Sequence, residues 1–222
     1  KYDVVINLQR FASSGLITAF SKGKKKIGFK KNPLSFFFNE AYQHTIGNGT
    51  HESERNNQLI AKMTSSTAAK PRLYPSDKQY QKFITYTDKP YFCLAPKSVW
   101  KTKELPLEKW VELIQMLPQD ALKFLIGGPN DRAYCDQILK LCDTPNVSNR
   151  CGEDQLLETA ALMEKASMNF VNDSAPLHLA SARNAPVTAF FCSTIPGFGF
   201  TPTSDQSHIV EINEPLYCRP CG

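Results

Sequence analysis

From about residue 90 to residue 191, short apolar runs alternate with longer segments whose apolar residues recur at helical spacing. No other feature restricts the fold as much. "YFCLAP" (91–96), "LKFLIGG" (122–128), "NVSN" (146–149), "MNFVN" (168–172) and "PVTAFF" (186–191) read as strands. Between them, "PLEKWVELIQML" (106–117) carries Leu107, Trp110, Val111, Ile114 and Leu117 on one helix face. The segment 131–142 places Tyr134, Ile138 and Leu141 likewise, and "DQLLETAALMEKA" (154–166) and the residues after Asp173 complete the alternation. Strands that are continuous apolar runs with helices between them imply an α/β fold with a parallel sheet covered on both faces. Right-handed crossovers make that sheet doubly wound. Its ligands bind where the carboxyl ends of the strands lead into helices.

Residues 1–70 are less regular. "DVVINL" reads as a strand, "GLITAF" as a helix and "KKIGF" as a second strand, followed by a mixed polar and aromatic stretch. Residues 64–79, "TSSTAAKPRLYPSDKQ", have the composition of a linker. Two domains are therefore expected, 1–70 and 71–222. Because 222 residues exceed one typical domain but fall short of two generous ones, the first is expected to be partial.

Several classes drop out on composition. No run approaches the roughly 18 to 20 apolar residues a membrane span needs, and the start does not resemble a signal peptide. Seven cysteines are an odd number, and Cys93, Cys135, Cys142, Cys151 and Cys192 fall within core-like elements, which suits a reducing cytoplasm better than a disulfide scaffold. Cys218 and Cys221 have the spacing of half a zinc site but no second pair, so structural free thiols are expected. The net charge of +5, with Lys22, Lys24, Lys25, Lys26, Lys30 and Lys31 clustered early, fits either an anionic partner or a solvated basic loop. Few aromatics interleave these lysines and no recognition motif is present, so nucleic acid is not an expected partner.

Three strand-to-helix loops carry chemistry. In "NDSAPLHLASA" (172–182) either Asp173 or Ser174 suits the N-cap and Pro176 the first turn. The amides and dipole of such a helix start attract phosphate, and small residues such as Ala175 let a ligand come close. His178, one turn in, can face the same mouth; the plain alternative is a capping aspartate and a packed histidine. "APKSVWKTKELP" (95–106) offers Ser98, Lys101, Thr102 and Lys103, a cation and hydroxyls for a diphosphate or else a solvated basic loop. "GGPNDR" (127–132) lacks a full dinucleotide fingerprint; Asp131 there can accept from ribose hydroxyls or simply start the next helix. Together, a basic, an amide-rich and an acidic loop at one sheet edge match the needs of a sugar nucleotide.

"APKSVWKTKELP", "GGPND", "NDSAPLHLASA" and the terminal "CRPC" occur in the order and spacing that resemble the lipopolysaccharide heptosyltransferases, ADP-heptose-using glycosyltransferases of GT-B fold. The resemblance implies a Rossmann-like GT-B fold, with a nearly complete C-terminal donor-binding domain and a partial N-terminal, acceptor-side domain whose opening segment is expected to be missing. By the same resemblance, Lys103 contacts the donor phosphates and stabilises the leaving diphosphate, with Ser98 in the same loop. Asp173, Ser174 and Ala175 match the segment that receives the diphosphate and its sugar, His178 falls on that motif's histidine, Asp131 lies near the ribose-binding acid, and the loop Cys151–Gln155 faces adenine. Ala175 replaces a usual glycine, and Pro176 follows it directly.

The activity so implied is inverting transfer of a heptose or related sugar from an ADP-sugar to a lipopolysaccharide inner-core or other glycolipid acceptor. It needs no cofactor or metal. The expected location is cytoplasmic, with a peripheral position at the inner-membrane face as one option. The family's base aspartate has no counterpart here, and neither Asp3 nor Glu40 occupies a matching motif, so the general base is unassigned. A GT-B enzyme using a UDP-sugar and a degenerate, non-catalytic nucleotide-binding module are the alternatives.

Overall fold

The structure, a computed structural model, describes residues 2–65, 67–86 and 88–221. It comprises two compact units, Lys1–Ala69 with Gly197–Phe200, and Lys70–Pro196 with Thr201–Gly222. The segment Gly197–Phe200 thus clusters with the first unit, although sequence alone leaves it within 71–222.

In the first unit, β1 (Val4–Asn7), α1 (Ala12–Phe20), β2 (Lys25–Phe29), β3 (Glu40–Tyr42) and α2 (Glu52–Asn57) follow in order. The three strands pair in parallel in the order β1-β2-β3 over a small core of Ile27, Phe29 and Leu59. The stretch without a readable pattern supplies β3 and α2. β3 has three residues, all half-buried, so no alternation marks it. Some of the early lysines are engaged within this unit: Lys24 pairs with Asp3 at 2.7 Å, Lys25 with Glu40 at 2.7 Å, and Lys26 donates to the carbonyl of Ala19. Gly197–Phe200 is held by backbone bonds from Gly49 to Gly197 (3.1 Å) and from Glu52 to Gly199 (2.8 Å). Buried Arg55 adds a bond of 2.6 Å to the carbonyl of Phe198. Gly199 has φ +85°, and a Cβ there would lie 2.1 Å from the Thr50 carbonyl, so only glycine fits.

The second unit contains α3 (Asp77–Gln81), β4 (Tyr91–Ala95), α4 (Leu107–Met116), β5 (Leu122–Leu125), α5 (Arg132–Leu141), β6 (Val147–Asn149), α6 (Leu156–Lys165), β7 (Met168–Asn172), α7 (Ala175–Ala182), β8 (Val187–Phe191) and β9 (Ser207–Glu211). All six strands run parallel in the order β6-β5-β4-β7-β8-β9. One face of the sheet packs Cys93, Phe124, Val171 and Ala189 against Leu162, Met163, Leu177 and Ala180 of α6 and α7. On the other, Leu94, Leu125 and Phe190 meet Trp110, Ile114, Cys135 and Ile138 of α4 and α5. This is the doubly wound arrangement that the alternation predicts.

Two expectations need correction, and one element is new. The supposed linker 64–79, of which Ser66 lies outside the described residues, joins the second unit from Lys70 onward: the Leu73 N–H bonds the Ala182 carbonyl, and α3 begins at Asp77. A capping box between Ser76 and Gln79 starts that helix. Leu141 is 58 % exposed, because the inner stripe of α5 runs through Cys135 and Ile138. The edge strand β9 was not anticipated; most of its residues are exposed.

Lys123, in the middle of β5, is fully buried, and its Nζ has no hydrogen-bond partner among the described residues. Burial pushes its pKa down, only partly offset by Asp120. Burying an unmatched polar group is costly, so Lys123→Met is expected to stabilise the protein by about 1 kcal/mol near neutral pH. The unfolded chain keeps its lysine proton up to a pH of about 10.4, so the native protein gains stability as pH rises between the depressed folded value and that limit. The advantage of the variant should therefore shrink from pH 7 to pH 10 in urea melts. Equal curves at pH 7 would mean that the ammonium is satisfied.

Candidate functional site

The strand order of the second unit reverses direction between β4 and β7: the chain winds outward to β5 and β6 on one side, then returns to β7 and continues to β8 and β9 on the other. At such a switch point, open α/β sheets bind their ligands in the crevice beyond the carboxyl ends of the strands. The loop after β4 carries Ser98 and Lys103, and the one after β7 carries Asp173 and Ser174. The two sets converge here. Lys103 Nζ lies 2.7 Å from Asp173 Oδ2, with the two side chains 24 % and 6 % exposed.

Asp173 is fixed twice over, because the Thr194 hydroxyl donates to the same carboxylate oxygen at 2.7 Å. Its neighbour Asn172, fully buried, ties the two loops together: its Oδ1 accepts from the Leu105 N–H at 3.0 Å, and its amide donates to the Pro96 carbonyl at 2.9 Å. Asp173 is therefore not the helix cap. Ser174 occupies the N-cap position, and no side chain caps α7. The helix start is also poorer in donors than expected, since Pro176 has no N–H and that of Leu177 already bonds the Ser174 carbonyl. The N–H groups of Ser174 and Ala175 are left without a partner among the described residues.

Ser98 is half-buried, and its N–H bonds Glu104 at 3.2 Å. Lys97 pairs with the same carboxylate at 2.6 Å, so Glu104 staples the loop that presents Lys103. His178 is exposed on α7, and so is Ala175. Asp131 sits at the end of the β5 loop, just before α5, where its carboxylate accepts from the Gly128 N–H at 2.8 Å and closes its own turn without capping that helix. The β6 loop, Cys151–Gln155, is tied to the β5 loop by a bond of 3.0 Å from the Gly152 N–H to the Gly127 carbonyl. Arg150 grips Asp154 with two bonds, of 2.9 and 2.7 Å, and fixes its base.

A family profile for glycosyltransferase family 9 (heptosyltransferase) matches residues 1–221. The chain belongs to glycosyltransferase family 9. This family 9 chain is 26 % identical over 207 residues to lipopolysaccharide heptosyltransferase 3 of Escherichia coli K12, covering 87 % of itself and 59 % of that protein. The solved structure of E. coli ADP-heptose lps heptosyltransferase II superposes with a TM-score of 0.78 at 21 % identity, covering 94 % of this chain and 68 % of that one. E. coli heptosyltransferase WaaC with ADP gives 0.72 at 23 % identity, covering 95 % and 67 %. The family 9 chain thus has the Rossmann-like GT-B fold of these enzymes. It spans about three fifths of the length of the curated relatives it matches.

Neither carboxylate considered from the sequence suits a general base. Glu40 is held at about 2 by hydrogen bonds from Lys25 and Tyr42, too acidic to take a proton near neutrality, and Asp3 is exposed and paired with Lys24. All seven cysteines are free thiols, with Cys218 and Cys221 exposed. Among the described residues no helix is long and apolar enough to cross a membrane. Asn172, Glu104 and Thr194, which build the crevice, were missed from the sequence. Only Asn172 gives a signal there, as a polar residue closing an otherwise apolar strand.

Proposed function

We propose that this chain binds an ADP-sugar at the β4–β7 crevice and that the whole protein transfers its heptose, with inversion, to a lipopolysaccharide inner-core acceptor. The observation that carries the reading is the convergence of Lys103 with the start of α7 on one switch point. One ammonium proton of Lys103 bonds Asp173, and the others are available to a ligand. As the acceptor hydroxyl attacks the anomeric carbon from the opposite face, negative charge grows on the departing diphosphate. Lys103 and the N–H groups of Ser174 and Ala175 are donors fixed in advance near that charge, and such donors favour the transition state. With an ammonium in this place, the reading calls for no metal. Asp131 and the loop Cys151–Gln155 are assigned to the nucleoside side of the crevice, His178 to its mouth. The complexes of WaaC with ADP and with ADP-2-deoxy-2-fluoro heptose make adenosine diphosphate the first nucleotide to test.

Calorimetric titration with ADP and UDP tests this. ADP is expected to bind at least about tenfold more tightly, and His178→Ala to weaken ADP by a few-fold with an unchanged melting temperature. Equal or tighter UDP binding would reassign the donor. ADP binding without transfer from ADP-heptose by the whole protein would leave a nucleotide-binding module.

A further inference from the structure

Arg219 stands in the C-terminal segment, far in sequence from every residue assigned to the crevice, yet its side chain is 9 % exposed. Its guanidinium works on the loop that follows β8. Nε and NH2 donate to the Thr194 carbonyl at 3.2 and 2.8 Å, and NH2 reaches the Phe191 carbonyl at 3.2 Å. Glu211 of β9 holds the same nitrogen at 2.6 Å. A backbone bond of 2.9 Å from the Cys221 N–H to the Ser193 carbonyl fastens the segment a second time. The residue so clamped, Thr194, is 5 % exposed and donates to Asp173, the carboxylate that anchors Lys103.

We infer that Arg219 is a positioning residue: through the Thr194 backbone it fixes the hydroxyl that orients Asp173, and through Asp173 it fixes the Lys103 ammonium in the crevice. A planar, permanently charged guanidinium suits this task, because its fork reaches two carbonyls and a carboxylate at once. Asp173 turns one oxygen to both donors, so losing the threonine hydroxyl frees the carboxylate to rotate and Lys103 to follow it. The link is a continuous chain of hydrogen bonds, so its members should be coupled and not additive. The consequence for nucleotide affinity rests on the function proposed above; the positioning of Lys103 does not.

The two are tested separately on the full chain. Acylation of lysines by an acetyl N-hydroxysuccinimide ester, followed by peptide mass spectrometry, reads the reactivity of Lys103 against exposed Lys101 as an internal standard. In Arg219→Ala the relative rate at Lys103 is expected to rise about fivefold. Thr194→Val should give a similar rise, and the double variant no more than either single one. An unchanged rate in Arg219→Ala, or rises that multiply in the double variant, would overturn the assignment. If Arg219→Ala fails to fold, Glu211→Gln serves instead: a smaller rise at Lys103 supports the clamp, and no rise refutes it. ADP titration of the folded variants should show affinity falling by about the same factor. Should the labelling pattern hold while the unaltered chain binds no ADP, the clamp stands and the nucleotide reading falls.

Discussion

Lys103→Ala should weaken ADP binding about 10- to 100-fold while leaving a folded protein, as measured by calorimetry beside a thermal melt. Two losses add. The diphosphate forfeits a charge-assisted hydrogen bond, worth roughly 1.5–3 kcal/mol where the group is shielded from water, and Lys103 is only 24 % exposed. Asp173, 6 % exposed, meanwhile keeps the Thr194 hydroxyl but no counter-charge. A bare carboxylate beside the helix start repels an incoming phosphate as well as costing stability. Asp173→Asn separates the two effects, since it removes the charge and keeps the shape. In the Lys103→Ala background it should recover part of the lost melting temperature. If it recovers none, the pair is not coupled as its geometry requires.

Trp110→Ala should cost about 4 kcal/mol of stability, the range seen when a large buried aromatic is truncated. Trp110 is fully buried in α4 and meets Phe190 of β8 edge-on, with ring centroids 5.3 Å apart at 85°. Its indole N–H has no partner among the described residues. The side chain therefore contributes through volume and ring contact alone. Trp110→Phe, which keeps a ring and gives up no hydrogen bond, should cost about 1–2 kcal/mol. Denaturant melts measure both. A phenylalanine variant as damaged as the alanine one would mean that the indole nitrogen has a partner, such as a buried water.

Much of the second unit was legible because its four inner strands, β5, β4, β7 and β8, are largely buried. Runs such as "YFCLA" and "FVN" need no alternation to stand out, and Leu107, Trp110 and Ile114 mark the inner stripe of α4. The first unit was harder to read. β3 and α2 are three and six residues long, too short for any period to appear. α3 left a signal that was passed over, the Ser76–Gln79 capping box within a stretch whose prolines suggested a linker. For the crevice, the motif loops predicted that Lys103 and the start of α7 would approach each other, and they do. The way they approach was hidden. Asp173 suits an N-cap by residue type, but the half-buried Lys103 and buried Thr194 compete for its carboxylate and win, since a charge-assisted bond outweighs a cap. Thr194 and Arg219 come from loops 21 and 46 residues further along the chain, and tertiary folding alone brings them in.

Because Gly197–Phe200 belongs with the first unit, the polypeptide passes from one unit to the other three times, after Ala69, Pro196 and Phe200. A single cut between Ala69 and Lys70 would sever only the first of these passages. The released piece would still hold Gly197, Phe198 and Gly199 through Gly49, Arg55 and Glu52, so both fragments should travel together on a sizing column until a denaturant parts them.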